Sequence, residues 1–195
     1  YRLLHKICNR SGIEVSLADS TNLQAMAAAI RPSTKLVWIE SPGNPRLSIT
    51  DIAACAELAH RHGALLAVDN TFATPVLTRP LERGADIVMH SSTKYLGGHS
   101  DVVGGALVVA SQELFDRLYF IQNATGNIQG PFDSYLITRG IKTLSVRVRE
   151  QSATAMRLAE FLSAHPRVKR VLYPGLAAHP GHELAQEQKI GRAHV

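Results

Sequence analysis

The residues best suited to chemistry cluster around Lys94, which follows a short apolar segment and three small hydroxyl residues, Ser91, Ser92 and Thr93. A lysine there can form a Schiff base with an aldehyde cofactor, and nearby hydroxyl groups can bind the cofactor's phosphate. Asp69 ends another apolar segment 25 residues earlier. A buried carboxylate at that point can keep a pyridine nitrogen protonated, which makes the ring an electron sink. This pair therefore favours pyridoxal 5'-phosphate (PLP) chemistry.

Other site chemistries have weaker support. Taken singly, a strand-end aspartate is usually a turn residue, and a lysine after a strand is usually solvated. The sequence contains no Walker A pattern and no G-x-G-x-x-G after a strand, so P-loop and dinucleotide sites lose their main support. His90, His99 and Asp101 lie close together, but their spacing matches no usual zinc pattern. We predict no metal site.

The composition is typical of a globular protein, with 45% hydrophobic and 19% charged residues among 195. No apolar run approaches the ~18 residues that a membrane-spanning helix needs. Cys8 and Cys55 belong to no CxxC pattern, which agrees with an intracellular, cytoplasmic protein. The net charge of +5 is spread along the chain without interleaved aromatic residues. It therefore indicates a solvated surface rather than a nucleic-acid or membrane partner.

Strand-like and helical patterns alternate along the chain, which predicts an α/β fold with a mainly parallel sheet flanked by helices. We expect Thr21 to cap the first predicted helix and residues 139–140 to interrupt a later one. The carboxyl ends of such strands border the ligand crevice, so the polar segments 40–45, 69–71 and 91–101 should converge. The predicted strands are 13–17, 35–40, 64–68, 85–90, 105–110 and 168–172, and the predicted helices are 22–30, 51–62, 131–138 and 142–165.

Three segments resemble the Cys/Met-metabolism family of PLP-dependent enzymes. They are 40–45 (ESPGNP), 68–72 (VDNTF) and, most specifically, 91–101 (SSTKYLGGHSD). Further matches to the family's pattern lie at 131–135, 139–144 and 179–184. The resemblance runs from Tyr1 to about Gln188 and implies the fold of the fold-type I PLP-dependent transferases.

The resemblance also implies a role for each matching residue. Lys94 would form the internal aldimine and then move protons at the substrate's α and β carbons. Asp69 would pair with the pyridine nitrogen of PLP, and Asn44 would donate a hydrogen bond to the ring's 3-oxygen. Ser91 and Thr93 would contact the phosphate. These five residues are the expected cofactor site.

Within the family, segments 97–102 and 131–135 look closer to the cystathionine γ-lyase and γ-synthase branch than to the β-lyase branch. That branch performs γ-elimination or γ-replacement through an aldimine and a quinonoid. Methionine γ-lyase and O-acylhomoserine sulfhydrylase are alternatives within the family, and an aminotransferase of the same fold is a more distant one. A non-catalytic α/β binding module is the alternative of another class, and the intact pair of Lys94 and Asp69 argues against it.

We predict three parts in the chain. Residues 1–141 form a PLP-binding large domain without its N-terminal part, and residues 142–188 form a linking helix and the start of a smaller C-terminal α/β domain. Residues 189–195 read like a translated sequencing adapter and are expected to be a non-native tail. We expect the whole protein to be about twice as long, and this piece alone to be inactive. The family further implies a tetramer, built as a dimer of dimers, that acts on a sulfur amino acid or an O-acylhomoserine.

Overall fold

The computed structural model describes residues 2–189, which contain one four-stranded sheet in the order β1-β2-β3-β4. The strands are β1 (Leu36–Glu40), β2 (Leu65–Asp69), β3 (Ile87–Ser91) and β4 (Gly105–Val109). β1, β2 and β3 run parallel, and β4 is antiparallel to β3. The mainly parallel sheet is therefore confirmed, and the four predicted strands that form end within two residues of their expected bounds.

Eight helices and three short helical turns accompany this sheet in the described residues. None of these helices is long and apolar enough to cross a membrane. The helices are α1 (Arg2–Lys6), α2 (Leu23–Ala29), α3 (Ile52–Arg61), α4 (Thr74–Leu77), α5 (Gln112–Thr125), α6 (Pro131–Ile141), α7 (Leu144–Ser163) and α8 (His182–Gln188). The turns are Cys8–Ser11, Pro80–Arg83 and Ser92–Leu96.

The main core lies between β2 and α3. Leu66 and Val68 of β2 are fully buried, and they belong to one apolar cluster with Ile52 and Cys55 of α3. The Asp51 carboxylate caps α3 by accepting a hydrogen bond from the Ala54 amide at 2.9 Å. Burial of this helix face against the sheet holds β2, and with it the end of the strand where the site lies.

Two predicted strands do not form. Segments 13–17 and 168–172 have irregular backbone, and neither pairs with a strand among residues 2–189. Ile13 and Leu17 are 54% and 64% exposed. A strand is stable only when a neighbour satisfies its backbone N–H and C=O groups, and a strand-like sequence pattern does not supply that neighbour. The predictions for both segments were wrong for this reason.

The predicted cap of the first helix was wrong by one residue. The Asn22 side chain caps α2, because its Oδ1 accepts hydrogen bonds from the next helical amides at 3.0 and 3.1 Å. Thr21 instead donates its hydroxyl to Asp19 at 2.7 Å. Asparagine and threonine both favour caps, so composition alone does not choose between two adjacent candidates.

The predicted interruption at residues 139–140 does not occur, since α6 continues to Ile141. Gly140 is buried and packs against the carbonyl groups of Leu96 and Gly97, so this glycine serves close packing rather than a helix end. Sequence reasoning also missed α5, which Ser111 caps and Gly126 ends with a φ of +72°. Of the suspected tail, residues 190–195 lie outside the described residues.

Candidate active site

The carboxyl ends of β1, β2 and β3 border one open cleft of about 1020 Å³. All five residues predicted for the cofactor site line this cleft: Asn44, Asp69, Ser91, Thr93 and Lys94. They come from three segments that follow three neighbouring strands, as expected for an open parallel sheet. The structure therefore brings the predicted residues together.

Asp69 ends the central strand β2 and is held in place by its own backbone and its neighbours. Its carboxylate oxygen Oδ1 accepts a hydrogen bond from the Thr71 amide at 3.0 Å. Its carbonyl accepts one from the Ser41 amide at 3.4 Å. The carboxylate therefore has a fixed direction at the strand end. Its second oxygen, Oδ2, can accept a hydrogen bond from a donor in the cleft.

Glu40 ends β1 directly beside Asp69, because the two residues are register partners in the parallel ladder. Burial raises the pKa of Glu40 above its usual range. The Asn44 amide, which bonds to the Glu40 carboxyl, lowers this pKa, while the negative charge of Asp69 raises it. Glu40 thus binds its proton more tightly than an exposed glutamate does.

Lys94 lies in the turn Ser92–Leu96, directly after β3. Its φ of −95° and ψ of −121° break the helical geometry of that turn. The Gly98 amide donates to the Lys94 carbonyl at 2.7 Å, and Gly98 itself has a φ of +78°. Ser100 also has a positive φ, of +57°. The positive φ of Ser100 and the non-helical backbone of Lys94 are costly for residues that carry a side chain. Contacts from outside the turn must therefore support this geometry.

The predicted phosphate ligands have partners within the protein. The Ser91 amide donates to the Thr71 hydroxyl at 2.8 Å, and Ser91 lines the cleft. The Thr93 hydroxyl accepts from the Gly104 amide at 2.9 Å and donates to the Gly104 carbonyl at 3.2 Å. As observed, the Thr93 hydroxyl hydrogen is used inside the fold, so Ser91 is the freer donor of the two.

Several further residues line the cleft that sequence reasoning did not assign to it. Arg147 and Gln151 lie four residues apart on one face of α7, and Asp133 comes from α6. Phe72 and Tyr95 are in edge-to-face contact, with ring centroids 6.5 Å apart. The spacing of Arg147 and Gln151 was the available signal, but helical spacing alone does not show which side of a helix meets a cleft.

The residues considered for a metal do not form a metal cluster in the part of the chain that the structure describes. His90 is buried within β3, and this burial lowers its pKa, although the charge of Asp69 acts in the opposite direction. His99 Nδ1 lies 2.8 Å from the Gly97 carbonyl oxygen, and Asp101 lines the cleft. His99 thus helps to shape the glycine turn after Lys94.

A profile of the family described as "Cys/Met metabolism PLP-dependent enzyme" matches residues 1–195. Two curated relatives from different branches are equally similar to the chain. A cystathionine γ-synthase of Mycobacterium bovis is 52% identical over 191 residues, which cover 98% of this chain and 49% of the relative. A chloroplastic cystathionine β-lyase of Arabidopsis thaliana is 52% identical over 194 residues, which cover 100% of this chain and 42% of the relative. The chain thus spans about half the length of these relatives.

A solved structure agrees with this match. The cystathionine γ-lyase of Lactobacillus plantarum, in complex with L-serine, superposes with a TM-score of 0.95 at 42% sequence identity. The superposition covers 97% of this chain and 50% of the other. At this identity and coverage the similarity extends to the fold as a whole, and with it to the strand ends that border the cleft.

Proposed function

Because this chain belongs to the Cys/Met-metabolism family of PLP-dependent enzymes, we propose that the whole protein is a trans-sulfuration enzyme of the cystathionine γ-lyase or γ-synthase type. It would perform γ-elimination or γ-replacement on a sulfur amino acid or an O-acylhomoserine. One observation carries the proposal for this chain. Lys94 and Asp69 line the same cleft, with the amine and the carboxylate that PLP chemistry needs.

The residues at the cleft fit PLP by the chemistry of their side chains. The five predicted residues contribute one amine, one carboxylate, one side-chain amide and two hydroxyl groups, and these match the aldehyde, the ring nitrogen, the 3-oxygen and the phosphate of PLP in turn. The cleft volume of about 1020 Å³ also leaves room for an amino-acid substrate beside a cofactor.

When bound, PLP supplies an aldehyde that captures amines and a protonated ring that accepts an electron pair from the substrate's α carbon. Lys94 would hold the aldehyde carbon in the resting enzyme, and Asp69 would hold the proton of the ring nitrogen. Asn44 would orient the 3-oxygen, and Ser91 would bind the phosphate. Thr93 would bind it too, once its hydroxyl turns away from the Gly104 carbonyl. The amine of Lys94 would also take the proton from the substrate's α carbon and move protons at the β carbon.

A β-lyase is the second candidate, because the curated β-lyase relative is as similar to the chain as the γ-synthase relative is. The two activities differ in which carbon–sulfur bond of cystathionine breaks. Cleavage at the γ carbon releases cysteine, and cleavage at the β carbon releases homocysteine. A γ-synthase instead joins an O-acylhomoserine to cysteine.

The test uses the full-length protein, reconstituted with PLP, and its Lys94→Ala variant. We expect the wild type to show the visible absorption band of the bound cofactor, and to release cysteine from cystathionine or to form cystathionine from an O-acylhomoserine and cysteine. The variant should lose both the band and the activity. Release of homocysteine would select the β-lyase candidate. A wild type without the band, or a variant that keeps it, would refute the PLP assignment.

The arrangement of the whole protein is part of the proposal. We propose a tetramer built as a dimer of dimers, a domain division near residue 142, and a cytoplasmic location, which the two free cysteines, Cys8 and Cys55, support. Light scattering of the purified full-length protein measures the tetramer directly. A monomer at micromolar concentration would refute it.

A further inference from the structure

Arg147, in the first turn of α7, lies on the glycine turn that follows Lys94. A Cβ atom on Gly98 would lie 2.8 Å from Arg147 Nη2 and would overlap Nη1 and Cζ, so the guanidinium group occupies the space beside the Gly98 Cα. Only a glycine permits so close an approach, and the φ of +78° at Gly98 requires one as well. The contact therefore couples α7 to the turn.

Two hydrogen bonds fix the guanidinium group in this place. Arg147 Nη2 donates to the Gly140 carbonyl at 2.8 Å, and Nε donates to the Thr143 hydroxyl at 3.0 Å. Nη1 is buried without a hydrogen-bond partner among the described residues. Burying a charged donor without a hydrogen-bond partner costs free energy. The other contacts of the Arg147 guanidinium group must outweigh this cost. Such costs are typical of residues that hold a functional geometry.

The guanidinium group is one hydrogen bond away from the backbone of Lys94. The Gly98 amide donates to the Lys94 carbonyl at 2.7 Å, and Lys94 has the non-helical backbone that interrupts its turn. Gly140, which accepts from Arg147, also packs against the carbonyl group of Gly97. A movement of Arg147 would therefore reach the Lys94 backbone through Gly98 and through the end of α6.

We propose that Arg147 is a positioning residue for Lys94, which acts by holding the Gly97–Gly98 turn from α7. The inference rests on the proposed function, since it requires that Lys94 hold the cofactor. A planar fork that bonds to two acceptors while stacking on a backbone suits arginine and not lysine. Arg147 thus fixes the direction of the Lys94 side chain without acting on the substrate itself.

The test compares Arg147→Gln and Thr143→Val with the wild type in the full-length PLP-loaded protein. Thr143 provides no side-chain cap to α7, so its change to valine spares the helix start. It removes one acceptor of the guanidinium group, together with the hydrogen bond that the Thr143 hydroxyl donates to the Gly140 carbonyl at 3.2 Å. Arg149→Gln is the matched control, because Arg149 is an exposed arginine on the same helix. The readouts are the visible circular dichroism of the bound cofactor, kcat and KM.

We expect Arg147→Gln to keep bound cofactor but to show weaker visible circular dichroism than the wild type. Its kcat should fall about tenfold or more, with KM little changed, because a small displacement of a reacting group slows the chemical step. Thr143→Val should change both readouts in the same direction by less, and Arg149→Gln should match the wild type.

Visible circular dichroism and kcat that equal those of the wild type in Arg147→Gln would overturn the inference. So would a rise in KM alone, which would assign Arg147 to substrate binding. If Arg147→Gln does not fold, Thr143→Val decides by the same criteria. The failures are separable: a wild type without the cofactor band overturns the proposed function as well, whereas unchanged variants of a PLP-loaded wild type overturn only the role of Arg147.

Discussion

Asp69 and Lys94 line the same cleft, but different parts of the fold hold them. Asp69 ends β2, whose residues 66–68 are fully buried between two neighbouring strands and α3. Lys94 lies in a turn whose geometry depends on glycines and on contacts from α6 and α7, which begin about 40 and 50 residues later in the chain. A strand end is fixed by the sheet, whereas the Lys94 turn is fixed by distant side chains.

The apolar support of the two regions differs in the same way. Among the residues that the structure describes, the cluster beneath Asp69 contains thirteen buried ones, drawn mainly from α3 and the sheet. The cluster beneath the Lys94 turn has three, which are Leu96, Leu144 and Val148. Because less apolar area is buried there, local opening of the Lys94 turn should require less free energy than opening of the sheet.

The largest expected effect is on the sheet side of the cleft. Asp69→Asn keeps an oxygen that can accept the Thr71 amide, so the fold should stay intact. It removes the negative charge that would hold the ring proton of PLP, and we expect kcat/KM to fall about 10³-fold. Steady-state kinetics of the full-length enzyme measure this. A fall of less than tenfold would contradict the role of Asp69.

Two leucine truncations separate the regions by stability and spectrum. Leu66→Ala in the main core should lower the free energy of unfolding by about 3 kcal/mol without altering the visible spectrum of bound PLP. Leu96→Ala should cost about 2 kcal/mol and should alter that spectrum, because Leu96 anchors the Lys94 turn to α7. Urea denaturation and absorbance measure the two effects. If Leu96→Ala and Leu66→Ala have the same visible spectrum of bound PLP, the Lys94 turn does not depend on the packing of Leu96.

Gly140→Ala tests the contact between α6 and the turn. The new Cβ would overlap the Gly97 carbonyl oxygen, which is a backbone atom, so the turn or the helix has to shift. We expect PLP to bind about tenfold more weakly, with little loss of helix content, since alanine favours helices. Fluorescence titration with PLP measures the affinity, and Ser134→Ala, at an exposed position of the same helix, is the control. Equal PLP affinity in Gly140→Ala and the wild type would show that the contact between α6 and the turn does not support cofactor binding.

The smallest effect concerns pH on the sheet side. Burial raises the pKa of Glu40, so the folded protein binds this proton more tightly than the unfolded chain does. Its contribution to stability is full below the ordinary value of 4.5 and is lost as pH rises through the raised pKa. Because Glu40 is partly exposed, solvent screens the effect, and we expect less than about 1 kcal/mol.

Glu40→Gln should remove this contribution to the pH dependence. Relative to the variant, the wild type should therefore lose stability as pH rises above 4.5, in urea denaturation at a series of pH values. A relative gain over that range would show that the pKa of Glu40 is lowered instead of raised.

The sequence predicted the sheet side of the site well, for a physical reason. Strands β1, β2 and β3 are short apolar segments that end at polar turns, so their carboxyl ends and the position of Asp69 follow from local patterns. Segments 13–17 and 168–172 show the limit of local patterns, because no strand among the described residues pairs with either of them. Local pattern does not supply a partner.

The support of the Lys94 turn could not be predicted from local patterns. Gly140 read as a helix break, yet it allows α6 to approach the turn. Arg147 read as a solvated charge, yet its guanidinium group lies on Gly98. Both roles come from packing between segments that are about 40 to 50 residues apart, which a residue's type and its neighbours do not encode.

The most direct test is whether Lys94 carries the cofactor. The full-length protein is loaded with PLP and reduced with borohydride, which makes the link between a lysine and the aldehyde permanent, and its peptides are then analysed by mass spectrometry. We expect the peptide with Lys94, and no other peptide, to carry the pyridoxyl phosphate group, in an amount equal to that of the bound cofactor. Label on another lysine, or an unmodified Lys94 peptide, would contradict it.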